Sequence, residues 1–130
     1  MQPYNNQDLY ALYAKTEKRQ RDKRVKEIVE TIYNEVIAHA TENPERFYYH
    51  LLPSLIEDHA EQRFYMANMR EIVGNLEFLF PQAHIHQRTL MRFADGTLHR
   101  CDPHNPYVVD GVLGHRGEHL LAIIIDWSRS

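Results

Sequence analysis

The chain has 130 residues but only one cysteine, one tryptophan and five glycines. A lone Cys101 excludes an internal disulfide framework and fits a reducing compartment. The longest apolar run, Leu120 to Ile125, has six residues, far short of the ~20 that cross a bilayer. The opening MQPYNNQDLY lacks the basic-then-apolar pattern of a secretory signal. Together these absences point to an intracellular setting, whether cytoplasmic, nuclear or virion-associated, and not to a secreted one. The sparse glycines also supply no phosphate-cradling loop. Neither Asp110-Gly111 nor Gly114 to Gly117 matches the G-x-x-x-x-G-K pattern.

Lysine is scarce as well, and its placement is informative. All four lysines fall within residues 15–26, alongside Arg19, Arg21 and Arg24. Only Glu17 and Asp22 oppose them, so the window carries +5, and the chain total of −3 leaves −8 for the rest. A chain of this length buries roughly two-thirds of its surface on folding, enough for one core. We therefore expect a single domain over 1–130, with a projecting basic arm at 1–24, a helical part at 25–80 and a β-rich part at 81–130.

Hydrophobic spacing supports that division. Val25, Ile28, Val29, Ile32, Tyr33, Val36, Ile37 and Ala40 recur at the helical i, i+3, i+4, i+7 interval. The spacing predicts a helix over residues 7–41, either continuous or broken near the basic run. Asn43 and Pro44 read as the cap and first turn of a second helix. Its inner face is Phe47, Tyr48, Leu51, Leu52, Leu55 and Ile56, with Pro53 kinking or dividing it. A third helical stretch covers 57–80, weakened at Gly74. Beyond Pro81 the spacing is that of strands. Residues 83–93 alternate, Ala94-Asp95-Gly96 signals a hairpin, and 97–101 is the return strand. A second small hairpin turns at Asp110-Gly111. The run 119–127, with Ile123, Ile124 and Ile125 at its centre, reads as a central strand buried on both faces. The expected class is α+β, with N-terminal helices packed on a small C-terminal antiparallel sheet whose edge, at three strands, would stay open.

Extended backward, the core stripe of the first helix meets Lys18, with Lys15 and Lys26 at its margin. A lysine there is costly to bury, so the helix should leave the body at its N-terminal end. Two readings fit. One is a solvated extension with local ion pairs. The other is a docking arm formed by Leu9, Tyr10, Leu12, Tyr13, Lys15, Lys18, Arg19, Arg21 and Lys23. Leucines beside tyrosines make good interface anchors, which favours a protein partner. Nucleic acid is an alternative partner for residues 15–26, although the acidic remainder and the lack of a known module oppose it. The stretch KRQRDKR also has the composition of a nuclear-import patch. The projecting helix and the open sheet edge both invite homodimerisation.

Histidine is the one residue in surplus: nine in all, six of them within residues 84–119. Cys101, His104, His115 and His119 have the C-x2-H-x10-H-x3-H spacing of a four-ligand zinc site, the only cofactor the sequence suggests. Against it stand a single thiolate and the glycines at 114 and 117. The competing reading is surface histidines around a small buried cysteine. His99, Asp102, His104 and Asn105 imitate part of a histidine nuclease motif, and Cys101 beside His99 imitates a thiol nucleophile. The first lacks the surrounding elements such a motif needs and the second rests on sequence neighbours only, so the leading reading is non-enzymatic, with a histidine-rich metal-binding module linked to nucleic acid as the alternative.

Two short motifs add a resemblance. Leu79-Phe80-Pro81 after a helix, then a hairpin, then Ile123 to Ser128, ending Asp126-Trp127-Ser128, resemble small uncharacterised proteins of large DNA viruses. The resemblance covers about the last 50 residues of the chain and implies a small cytoplasmic or virion-associated accessory protein without catalysis. It transfers no site residues.

Overall fold

The computed structural model describes residues 1–128. Helix α1 runs Asn6–Glu42. Its start is fixed by a reciprocal cap: Asp8 donates its backbone N–H to the Asn5 side chain at 2.8 Å, and Asn5 returns its own to the Asp8 carboxylate at 3.1 Å. At 1.5 Å per residue the helix is about 55 Å long. The core takes only Val25, Ile28, Val29, Ile32 and Val36 from it.

Asn43 closes α1 instead of opening a second helix; its N–H reaches the His39 carbonyl at 2.9 Å. The next element is a strand, β1, Phe47–Leu51. The expected helix with a kink at Pro53 is therefore absent. Phe47, Tyr48, Leu51 and Leu52 fit helical spacing, but Phe-Tyr-Tyr-His-Leu is also rich in strand-favouring aromatics. The hydrogen-bonded edge offered by another strand decides between them. Pro53 lies just past β1, where no ladder bond is needed. The third stretch is two helices, α2 at His59–Ala67 and α3 at Met69–Leu79. They meet at the buried Asn68, whose side chain donates to the Phe64 carbonyl at 2.9 Å. Gly74 does not interrupt α3.

The remaining strands are β2 His84–Arg92, β3 Leu98–Asp102, β4 Asn105–Val109, β5 Val112–Leu113 and β6 Glu118–Asp126. With β1 they form one six-stranded sheet in the order β1-β6-β2-β3-β4-β5, each neighbouring pair antiparallel. The expected three-stranded sheet is too small, because helical spacing conceals β1 and the short β4 and β5 complete the far edge. Asp110 and Gly111 both have positive φ, 52° and 75°, as a type I′ turn requires. Strand β6 lies between β1 and β2, second from one edge of the sheet, and residues 122–125 are wholly buried.

One sheet face packs on the helices: Ile85, Ile123 and Ile125 meet Val25, Ile28, Ile32, Ile72 and Leu76. The other face buries Leu90, Ala122 and Ile124 beneath Tyr49, Leu51 and Leu98. Arg100 closes it. Its guanidinium donates to the Tyr49 hydroxyl and to Asp126, each at 3.0 Å, and lies 5.4 and 5.6 Å from the rings of Tyr49 and Phe47. Two residues of the terminal motif have structural work. Asp126 also accepts the Ser128 backbone N–H at 2.9 Å, and Trp127 packs on the main core. The accessible surface is 9,664 Å², against about 7,200 Å² for a compact protein of this mass. The excess reflects α1 leaving the body.

Candidate functional site

Toward its N-terminus α1 parts from the core in stages. Val25 is the last buried residue. One turn earlier, two arginines tie the helix down: Arg24 pairs with Glu61 of α2 and with Glu27 at 3.5 Å, and Arg21 lies 3.6 Å from Glu71 of α3. From Ala14 to Arg21 the helix borders a groove completed by Phe64, Ala67 and Asn68. Beyond that it runs free. Leu9, Tyr10, Leu12 and Tyr13 are 52%, 72%, 46% and 67% exposed, which places all four of these large apolar side chains in solvent.

The basic residues divide accordingly. Arg21 and Arg24 face the body and are neutralised by its carboxylates. Lys15, Lys18, Arg19, Lys23 and Lys26 are exposed and form no ion pair among the described residues. Arg21 thus belongs to the hinge between arm and body and is not one of the free charges. The helix persists without a body beneath it because Ala, Leu, Lys, Arg, Glu and Gln, all strong helix formers, dominate it, and because its start is capped.

The histidine-rich half does not assemble into a centre. Cys101 is fully buried with Met91 and Val109, and burial pushes its thiol up, the reverse of an activated nucleophile. His119 donates from Nε2 to the Pro106 carbonyl at 2.7 Å. His115 stacks on Phe93 at 5.1 Å, and His99 on the same ring at 3.9 Å. His104 is exposed on a turn that Asp102 holds, accepting the N–H groups of His104 and Asn105 at 2.8 and 3.2 Å. Those bonds give Asp102 and Asn105 turn-forming work. Among the described residues no three His, Cys, Asp or Glu are arranged to hold a metal ion. Nor, among them, is any helix long and apolar enough to cross a membrane.

Two features escaped the periodicity. His50, on β1, is buried between Glu35 of α1 and Tyr65 of α2. Helical spacing across β1 hides it. The second is the flank of α1 beside its core stripe, where the Tyr33 ring stacks on Phe80 at 5.5 Å. Tyr33 and Ile37, core positions by their spacing, are 37% and 46% exposed. The signal was present in the arc: at 100° per residue, the positions from Ile28 round to Ile37 cover about 180°, wider than one packed face needs.

No protein-family model, no curated protein and no solved structure matches this chain.

Proposed function

We propose that this is a non-enzymatic interaction protein, structural or accessory in role, that docks on a protein partner through the N-terminal arm of α1. The supporting observation is the four-residue apolar tip, Leu9, Tyr10, Leu12 and Tyr13, held in solvent ahead of five unpaired basic side chains. Such a tip has a cost in water and no role in the fold. A purely solvated extension would place polar residues there. The viral resemblance of residues 79–81 and 123–128 agrees with an accessory role.

Replacing Lys15, Lys18, Arg19 and Lys23 by Glu tests the reading, with Arg21 left intact because it touches the body. Tagged wild-type chain should retain its partner from an extract of the cells that make it, and the variant should not. Retention by a nucleic acid in place of a protein would show as capture abolished by nuclease and by salt.

A further inference from the structure

We infer that the arm docks on a second copy of this chain, the two α1 helices lying antiparallel along their outward faces. The inference rests on the docking role proposed above and names its partner. Leu9, Leu12, Thr16, Arg19, Lys23, Lys26, Glu30, Tyr33 and Ile37 follow one another at alternating intervals of three and four. At 100° per residue they stay within an arc of about 120°, a continuous seam, and its centre lies about 150° round the helix from the centre of the core stripe. Every residue of this seam is exposed, with one face of the Tyr33 ring stacked on Phe80 of its own chain.

The order of residues along the seam makes it complementary to its own reverse. Leu9 and Leu12 stand at one end and Tyr33 and Ile37 at the other, with Arg19, Lys23 and Lys26 and then Glu30 between them. Laid antiparallel, Leu12 meets the partner subunit's Ile37, Thr16 meets the partner subunit's Tyr33, and Arg19 meets the partner subunit's Glu30. The two-fold axis repeats each contact in reverse. A parallel pairing would instead set like charges against each other. The receiving end is already shaped. Ile37, Ala40, Leu79, Phe80, Pro81 and Trp127 line a groove of about 480 Å³, open to solvent. The chain's own tip cannot fill it, because Leu9 and Ile37 lie about 42 Å apart on one continuous helix. The +5 arm also meets a body of opposite sign. One layer is unfavourable: nearest the axis, Lys23 faces the partner subunit's Lys26.

Sedimentation velocity of the full chain from about 1 µM to about 1 mM tests this. Wild type should pass from monomer to dimer across that range. Leu9→Asp with Leu12→Asp should remain monomeric while keeping the wild-type circular dichroism and melting temperature, since both residues lie outside the core. Arg19→Glu sets like charges against the partner subunit's Glu30 and should weaken the dimer about tenfold. A wild-type chain that is monomeric throughout, or a dimer indifferent to the double Asp variant, overturns the inference. Capture of a different protein by a monomeric chain would leave the docking role standing and refute only the second copy as its partner.

Discussion

His50 Nδ1 lies 2.8 Å from Glu35 Oε2. A carboxylate only accepts, so Nδ1 carries the proton, and Nε2 is left to accept from the Tyr65 hydroxyl at 3.1 Å. This buried chain joins α1, β1 and α2 and secures the segment of α1 that supports the arm. Burial first of all raises the Tyr65 pKa, so the hydroxyl keeps the proton it donates. His50→Leu should cost about 2–3 kcal/mol, since it leaves the buried Tyr65 hydroxyl unsatisfied and removes the bond to the partly exposed Glu35. Tyr65→Phe, which removes only the outer bond, should cost about 1 kcal/mol. Urea melts at pH 7 separate the two, and equal costs would show that the bonds do not form a chain.

Stability should fall in two steps on acidification. Burial, followed by the neighbouring His84, Arg88 and Arg100, pushes His86 down to about 4, with Asp126 opposing. The unfolded chain takes up that proton near 6.5, so stability is full above 6.5 and falls as pH drops toward 4. Discounted for the solvent that still reaches the ring, the loss is roughly 2 kcal/mol. His86→Gln should flatten this limb in denaturant melts at pH 7 and 4.5. The second step belongs to Asp126. Its burial favours a raised value, but hydrogen bonds from Ser128 and Arg100 outweigh it and hold the carboxyl at about 2. Its contribution, about 2 kcal/mol, is present above pH 4 and lost as pH falls through 2. Asp126→Asn should lose that amount at pH 7 and show no further step between 4 and 2.

Two glycines should respond in opposite directions. A Cβ on Gly117 would lie 2.3 Å from the Arg92 carbonyl oxygen and 2.7 Å from the Met91 side chain. Gly117→Ala must shift backbone and should cost about 1–3 kcal/mol. A Cβ on Gly74, on the exposed side of α3, meets nothing within 4 Å. Gly74→Ala should therefore gain about 0.5–1 kcal/mol from helix propensity. Thermal melts of both variants check the pair.

These residues mark what local pattern reveals. Helix α1 was legible because five core positions repeat over twelve residues, and β6 because three consecutive isoleucines suit burial on both faces. Strand β1 was not, since its identity rests on pairing with residues 122–126, more than seventy positions away. The same non-local choice hid His50. Charge placement and the core stripe running into Lys18 singled out turns of α1 that are exposed, but the last contacts of that helix with the body are made to Glu61 and Glu71, which no spacing in α1 could announce. The four zinc-like positions matched in sequence and not in space, because strand pairing sends Cys101 into the interior and leaves His104 on a turn.

The central claim is that the arm serves docking and not folding, and one four-residue variant tests both halves. With Lys15, Lys18, Arg19 and Lys23 changed to Glu, the melting temperature should match wild type within about 2 °C while partner capture is lost. Undiminished capture, or a melting temperature lowered by about 5 °C or more, would contradict it.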